Sequence, residues 1–528
     1  MLAHPPDPQN AILGIDLGTT YCAVAVVDGQ GNPIVLANEE GEQITPSVIH
    51  FFERDACVVG TEALKMVVVD PVNVVRFIKR SMGEADYLLE FYGRAYSPQE
   101  LSGIILRKLC QDASEVLGFA VKDTVITVPA YFDSAQRGAT TEAARLAGLN
   151  VLSIINEPTA AALSYGKEQF DGSEQLLVFD LGGGTFDVTI MSLEEEEYRA
   201  RASDGNAELG GKDWDDRLLN FVSDRFYDRF GLDPRDEPQP YQQLYEDCLA
   251  AKIALSTEEV THVPVQFHGR RMTVQVTRRD FEALTQDLVD QCADTCALVL
   301  KKAGLTWKDL DVTLLVGGST HMPMIRKMLR QLTGKENLIV TNPAESVAQG
   351  AALAAMLRHG STERSTKPDP AIDVESRPQN PKRIVDITSH PLGVIALDSG
   401  HQECVVMLIP PETEVPCKKQ GRFSYPYDHM KALRLEVTEG PGDRRDEVRV
   451  VAEVLIEDLP PHKRGTHLDV VYRYDINQIL TVDVVDVESQ TTRGATVDLR
   501  GTIPTERKQE AIHQVRQAVL GSQHTLVP

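Results

Sequence analysis

The sequence of 528 residues contains no apolar run of the roughly eighteen residues that a membrane-spanning helix needs. Basic side chains are scarce relative to acidic ones, because 53 Lys and Arg stand against 78 Asp and Glu, a net charge of −25. Such an excess of negative charge argues against a general affinity for nucleic acid or for an anionic membrane surface. We therefore expect a soluble protein with neither nucleic acid nor membrane among its partners.

The first ten residues contain no basic segment of the kind that opens a secretory signal, so we expect no signal peptide. The eight cysteines are scattered. Cys292 and Cys296 can share one helix face, but nothing nearby completes a zinc site, and buried free thiols are the favoured interpretation. These features suit a reducing, cytoplasmic location.

One short unit occurs twice: an apolar strand, an Asp, a Gly-containing turn with Thr, and a second strand. It spans residues 11–27 around Asp16 and residues 176–190 around Asp180. Glycines let backbone N–H groups approach a ligand, which suits phosphate oxygens, and an adjacent Asp suits a hydrated Mg²⁺. The pair predicts a duplicated half-domain. No Walker A motif occurs, and a strand rather than a helix follows each turn, which excludes the dinucleotide fingerprint.

Strands alternate with helices up to about residue 357, which predicts an α/β domain. Ligands in such folds bind at the carboxyl ends of strands, where Asp16, Pro129, Glu157 and Asp180 are all expected. A later strand runs into Gly317 and Gly318 and then a helix, and this joint can hold a nucleoside because a planar ring can lie on bare backbone.

The composition changes at residues 360–383, where Ser, Thr, Pro and Lys indicate a linker. Beyond it the pattern is β-like, with about eight short strands, and residues 505–520 form one amphipathic helix after Pro504. We therefore predict an α/β domain at 11–360, a linker at 361–386, an all-β sandwich at 387–503, and a short helix with a loose tail at 504–528.

Five motifs in order resemble the signatures of the DnaK-type chaperones, the seventy-kilodalton heat-shock family. They lie at residues 14–21, 128–132, 155–162, 180–187 and 316–320, and the resemblance covers about residues 11–503. It implies an actin-like, two-lobed ATPase domain that binds ATP and Mg²⁺ between the lobes, followed by a β-sandwich that binds extended apolar polypeptides. J-domain co-chaperones and nucleotide exchange factors are the partners it implies.

The resemblance also implies site residues, position by position. The catalytic group is Lys79, Glu157, Asp180 and Asp187, although spacing alone favours a solvated Lys79. Asp16 and Asp180 hold Mg²⁺ through water. The nucleotide contacts are Gly18, Thr19, Thr20, Tyr21, Gly182, Gly183, Gly184, Thr185, Lys252, Ser256, Gly317, Gly318, Ser319 and His321. Pro129, Arg137 and Asp386 relay nucleotide state, and Val394, Leu397, Phe423, Leu433 and Leu435 either line a peptide pocket or form core.

The sequence departs from the family in the adenosine pocket. His321 replaces an arginine that stacks on adenine, and Leu249 and Ala344 stand where acids are common. We therefore expect weaker nucleotide binding and faster exchange. Ser153 replaces an arginine that bacterial members use toward the J-domain partner. The long helical lid is also missing, so bound peptide should leave quickly, because off-rates set most affinity differences.

Three functions fit these features. The first is a lidless, ATP-driven chaperone, favoured by Lys79, Glu157, Asp180 and Asp187. The second is a nucleotide-dependent regulatory or binding protein, such as an exchange factor or assembly scaffold, with slow hydrolysis. The altered adenosine pocket, Ser153 and the missing lid favour that alternative. A small-molecule kinase on the same fold is disfavoured by the β domain after the linker.

Overall fold

The computed structural model describes residues 4–168, 172–336, 338–340, 345–359, 383–398, 400, 402–496, 503 and 505–520. They form an α/β domain of two lobes, a β-sandwich and a C-terminal helix, so the predicted fold class is confirmed. Among these residues, no helix combines the length and apolar character needed to cross a membrane. Most of the predicted linker, residues 361–382, lies outside the described residues.

Lobe I is built on a mixed sheet. Its first strand has a parallel partner on one side and its antiparallel hairpin partner on the other. The strands are β1 (Leu13–Asp16), β2 (Tyr21–Val27), β3 (Pro33–Leu36), β4 (Thr45–Pro46), β5 (Ile49–Glu53), β6 (Ala56–Val59), β7 (Val74–Val75), β8 (Leu89–Phe91), β9 (Arg94–Tyr96), β10 (Asp123–Val128) and β11 (Asn150–Asn156). The helices are α1 (Thr61–Lys65), α2 (Pro98–Leu117), α3 (Ser134–Leu146) and α4 (Glu157–Glu168). The main sheet has the order β11-β10-β1-β2-β3.

Lobe II repeats this plan. Its strands are β12 (Glu174–Leu181), β13 (Phe186–Leu193), β14 (Glu197–Asn206), β15 (Val260–Phe267), β16 (Arg270–Thr277), β17 (Val312–Val316) and β18 (Ile339–Val340). Its helices are α5 (Gly211–Phe230), α6 (Pro238–Ala254), α7 (Arg278–Leu284), α8 (Gln286–Ala303), α9 (Pro323–Thr333) and α10 (Ser346–His359). The order β18-β17-β12-β13-β14 matches that of lobe I strand for strand, as the duplicated hairpin unit predicts.

Helices α4 and α10 cross at very short range between the two sheets. A Cβ on Gly350 would lie 1.8 Å from the carbonyl oxygen of Ala160, and one on Gly14 of β1 would lie 2.2 Å from the amide nitrogen of Ala352. Only glycine allows this approach, so these two positions fix how the lobes join. The joint sets the distance between the two hairpin turns.

The third unit is a sandwich of two four-stranded antiparallel sheets, β21-β20-β24-β25 and β23-β26-β27-β28. The elements are β19 (Arg383–Ile387), β20 (Leu392–Leu397), β21 (Glu403–Ile409), β22 (Glu414–Val415), β23 (Cys417–Ser424), β24 (Leu433–Glu439), β25 (Arg449–Ile456), β26 (His467–Tyr474), β27 (Leu480–Asp486) and β28 (Thr492–Thr496). Alternating apolar positions from both sheets, such as Val437 and Val482, fill its core. The eight strands agree with the sequence pattern.

Strand β19 belongs to the α/β domain by pairing, although its first four residues fall in the predicted linker. It runs parallel to β14, with Tyr198 opposite Ile384, and then pairs with β22 of the third unit. Residues 383–386 therefore extend the sheet of lobe II and connect it directly to the sandwich.

The C-terminal segment returns to lobe I. Helix α11 (Thr505–Gln517) packs on α2 and α3, and β29 (Val519–Leu520) adds a parallel strand to β6. The prediction of one helix through residue 520 was therefore wrong at its end. Arg107 of α2 donates to the carbonyl oxygens of Val515 and Arg516 at 2.7 and 2.6 Å, and to that of Ala518, which satisfies the last carbonyls of the helix. The tail at 521–528 lies outside the described residues.

Candidate functional site

The two hairpin turns face each other across the gap between the lobes. A Cβ added to Gly183 would lie 2.3 Å from Cγ2 of Thr20, and one added to Gly184 would lie 2.3 Å from Cγ2 of Thr19. The second turn is closed by the amide of Gly182, which donates to the carbonyl oxygen of Thr185 at 3.0 Å. Bare backbone from both lobes is therefore brought together, as the paired motifs predict.

Four carboxylates and one lysine lie beside these turns. Lys79 Nζ is 2.6 Å from Glu157 Oε1, and both side chains are under one-tenth exposed. Asp16 accepts from Thr127 Oγ1 at 3.1 Å, and Asp187 accepts from the amide of Tyr131 at 2.9 Å. Lys79 is thus buried against a carboxylate, which rules out the solvated position that spacing alone favoured.

Burial raises the pKa of Asp16 to about 7, with a further contribution from the charge of Glu157 and opposition from Lys79. Burial and Glu157 also raise the pKa of Asp187 to about 7. The pKa of Asp180 rises well above its usual range, first through burial and then through Glu157. Burial lowers the pKa of Lys79, but the nearby carboxylates outweigh it and the net shift is upward.

Besides burial, the pKa shifts of the three aspartates share a second cause, a local deficit of positive charge. Three buried carboxylates and the partly buried Asp16 share a single lysine, so a divalent cation fits the site electrostatically. Within the described chain, no three His, Cys, Asp or Glu side chains are grouped to hold a metal ion directly. Asp16 and Asp180 therefore suit a cation that keeps its water shell, as Mg²⁺ commonly does. When bound with a nucleotide, that cation neutralises phosphate charge.

The carboxylates and turns open into a cleft of about 790 Å³. Most of the predicted nucleotide contacts line it: Gly18, Thr19, Thr20, Tyr21, Gly182, Gly183, Thr185, Lys252, Ser256, Gly317, Gly318, Ser319 and His321. Gly184 and Asp187 are not on its wall. The size is within the usual range of small-molecule sites, and the cleft continues from the turns to α6 and the start of α9.

Lys252 and Ser319 are held by lobe II itself. Lys252 Nζ forms an ion pair with Asp215 at 2.8 Å and donates to the carbonyl oxygen of Gly211 at 3.1 Å. Ser319 Oγ donates to the carbonyl oxygen of Gly182 at 2.8 Å. Both residues therefore brace the second turn and the start of α5 in addition to lining the cleft.

Two arginines that the sequence analysis did not single out bridge the lobes. Arg80 Nε donates to the carbonyl oxygen of Gly184 at 2.8 Å and its guanidinium pairs with Asp213. Arg76 pairs with Glu246 of α6 at 2.5 Å. Their proximity to Lys79 was the only signal in the sequence, because their partners lie more than one hundred residues away.

The three predicted relay residues lie behind the carboxylates. The Arg137 guanidinium is buried and donates to the carbonyl oxygen of Ala130 at 3.0 Å, to that of Pro129 at 3.5 Å, and to Asn156 Oδ1 at 2.8 Å. Asn156 in turn donates to Asp386 Oδ1 at 3.3 Å. Asp386 also accepts from Thr159 at 2.7 Å and pairs with Arg358 at 3.4 Å.

The five predicted peptide-contact residues have different environments. Val394 and Leu435 are 1% and 5% exposed and belong to the sandwich core. Phe423 and Leu433 are partly buried against that core, and Leu397 is 46% exposed. A peptide-binding role for these residues stays a prediction.

The positions that depart from the family pattern are also placed. Leu249 and His321 line the cleft. Ser153 is buried, with His359 Nε2 at 3.5 Å from its Oγ. Ala344 lies outside the described residues.

The chain was compared with models of protein families. The family model described as Hsp70 protein matches residues 12–89 and 84–523. The match includes both lobes, the β-sandwich and the C-terminal helix, which is nearly the whole chain.

Proposed function

The chain belongs to the Hsp70 family, and we propose that it hydrolyses ATP to control its binding of extended apolar polypeptide segments. Members of this family are ATP-dependent chaperones that bind ATP with Mg²⁺, unfolded clients and co-chaperones. The finer proposal adds that client binding is weak and quickly exchanging. It also places the chain in a reducing cytoplasm, which its eight free cysteines support.

Hydrolysis is supported by the chemistry of the buried cluster. Phosphoryl transfer needs charge neutralisation and an oriented water more than it needs covalent catalysis. Lys79 supplies positive charge at the phosphate turns, and the carboxylates of Glu157 and Asp187 can accept a proton from, and orient, an attacking water. The pKa of Asp187, about 7, suits proton exchange near neutral pH.

A set of contacts that leads from the carboxylate cluster to the β domain is the observation that supports the proposal. Glu157 follows Asn156 directly in the chain, and Asn156 links Arg137 to Asp386 through hydrogen bonds of 2.8 and 3.3 Å. Asp386 is on β19, where it pairs directly with Val415 of β22 in the third unit. A change at the carboxylate cluster can therefore reach the β domain through the peptide bond to Asn156 and the hydrogen bond from Asn156 to Asp386.

The sandwich also docks on lobe I through the loop after β10. Ser389 Oγ donates to the carbonyl oxygen of Ala130 at 2.5 Å, and His390 Nε2 lies 2.9 Å from the carbonyl oxygen of Tyr131. The amide of Tyr131 is the donor to Asp187. The same loop thus contacts the cluster on one side and the β domain on the other.

Fast client exchange is supported by the position of α11. This helix packs on α2 and α3 of lobe I, so it does not cover the sandwich. A client side chain entering the sandwich would gain about 1.5–3 kcal/mol for a buried Leu, before the cost of ordering the peptide. Because no helix in the described part of the chain closes over the sandwich, such a contact should break readily.

The first test is the dissociation rate of a labelled, extended apolar peptide with ADP and then with ATP. We expect ATP to speed release. Peptide that never binds, or that leaves equally fast in both states, would refute the chaperone function.

The second test is Lys79→Ala. Removing a positive charge that stabilises the transition state costs roughly 10²–10³-fold in turnover, while ATP should still bind. Lys65→Ala is the matched control, since this lysine is exposed and pairs with Glu62 in helix α1. Unchanged turnover in the Lys79 variant would refute the assigned role.

The alternative is a nucleotide-dependent regulatory protein with slow hydrolysis. It is favoured by the burial of Val394 and Leu435 in the sandwich core, which leaves less apolar surface for a client. ATP binding and slow turnover without any peptide binding would select this alternative.

A further inference from the structure

Part of the cleft wall is apolar. Leu249 and Ile253, four residues apart on α6, both line it, and Ile253 is 63% exposed. An exposed isoleucine beside a half-buried leucine offers a flat apolar surface that a ligand can cover. Neither side chain can form a hydrogen bond, so these two residues favour a ligand group that is apolar and fits their surface.

Another part of the cleft wall carries a positive charge. Arg326, on the first turn of α9, also lines the cleft. Its Nε donates to the carbonyl oxygen of Thr320 at 3.1 Å, and one terminal nitrogen lies 3.0 Å from His321 Nδ1. No carboxylate in the described part of the chain pairs with this guanidinium.

His321 is arranged to hold Arg326. With the guanidinium as donor, Nδ1 of the ring must be an acceptor, which requires a neutral imidazole. Partial burial and the neighbouring charge of Arg326 lower the pKa of His321, which keeps the ring neutral at ordinary pH. The guanidinium plane is thus fixed by two contacts at the wall of the cleft.

We propose that Arg326, positioned by His321, is the residue of this chain that stacks on the nucleotide base, with Leu249 and Ile253 as the opposite face. A fixed, planar guanidinium stacks well on a heteroaromatic ring, and it loses little freedom on binding because it is already held. In this chain the base would thus stack on Arg326 and not on the residue at position 321, five residues earlier. The inference rests on the proposed nucleotide function of the cleft.

The experiment measures the affinity of the full-length chain for ATP and for inorganic tripolyphosphate, which carries the phosphates without a base. Arg326→Ala should weaken ATP binding by about tenfold and leave tripolyphosphate binding within twofold. Arg330→Ala is the matched control, because Arg330 lies one turn further along α9 and pairs with Glu336. Arg326→Lys keeps the charge without the plane and should also lose most of the ATP affinity.

The positioning role of His321 has its own readout. His321→Ala should weaken ATP binding, His321→Asn should restore most of it by keeping an acceptor, and adding His321→Ala to Arg326→Ala should have no further effect. Equal ATP affinity in the wild type and Arg326→Ala would overturn the inference alone, as would an equal loss of tripolyphosphate affinity. A wild type that binds neither ligand would instead overturn the proposed function of the cleft.

Discussion

Glu439 makes the docking of the β domain on lobe I depend on pH. Its carboxylate is buried and accepts from the amide of Ser134 at 3.3 and 3.2 Å, close to Asp133, while Arg449 pairs with that same Asp133. Burial, and then the charge of Asp133, raise the pKa of Glu439 from 4.5 to about 8. The docked carboxyl therefore holds its proton more tightly than an undocked, solvated one, so docking takes up a proton.

The size of the pH effect on docking follows from the difference between the docked and undocked pKa values of Glu439. Below pH 4.5, the pKa of the undocked carboxyl, Glu439 is protonated in both states and its full contribution to docking is present. This contribution is lost as the pH rises through about 8, the pKa in the docked state. Each pKa unit is worth about 1.36 kcal/mol, so docking should weaken roughly 50-fold, about 2.3 kcal/mol, between pH 6 and pH 8. Glu439→Gln removes the titrating group and should remove this dependence.

Hydrogen exchange of the segment around Ser134, corrected for the intrinsic effect of pH on exchange, measures docking directly. Protection should fall from pH 6 to pH 8 in the wild type and stay nearly constant in Glu439→Gln. Glu436→Gln is the matched control, because Glu436 is on the same strand and pairs with Arg445 at the surface. A wild type and a Glu439→Gln variant with the same pH profile would refute the reasoning.

Three further changes test other parts of the structure. Asp386→Ala removes the acceptor shared by Asn156 and Thr159, so ATP should no longer speed peptide release while turnover stays within about threefold; preserved ATP-stimulated release would contradict this. Gly183→Ala places a Cβ 2.3 Å from Thr20 and should abolish detectable ATP binding in calorimetry, whereas a normal affinity would show that the turns do not meet around a ligand. Val515→Ala, at a fully buried position of α11, should lower the free energy of unfolding by about 2 kcal/mol. Denaturant titration measures this loss, with Gln517→Ala at an exposed position as the control. Equal stabilities of the two variants would mean that α11 is not packed on lobe I.

The phosphate turns could be predicted because each is a local signal: a strand, an Asp, a Gly-containing turn and a Thr within about a dozen residues. The duplicated sheet follows, since two copies of a hairpin in an α/β pattern have few ways to pair. Lys79 could not be placed by periodicity, because its burial depends on Glu157, 78 residues away.

Long-range pairing explains what the sequence did not reveal. The segment 383–387 is short and directly follows the Ser- and Pro-rich stretch, so most of it was predicted as linker despite its β-branched residues. It is a strand because the open edge of β14 accepts it. Arg326 looks like an ordinary helix arginine until His321 and the cleft are placed around it. The position of α11 likewise depends on the groove between α2 and α3. No pattern within residues 505–520 indicates that groove.

The return of the C-terminal segment to lobe I has a consequence for synthesis. Arg107 and the carbonyl of Val515 are 408 residues apart in the chain, a stretch that a ribosome needs roughly 20–80 s to add. Until then the edge of β6 has no partner from β29, and the apolar groove that receives Val515 stays open. Lobe I, made first, is thus completed last, and the nascent chain must be kept from pairing that edge with another copy.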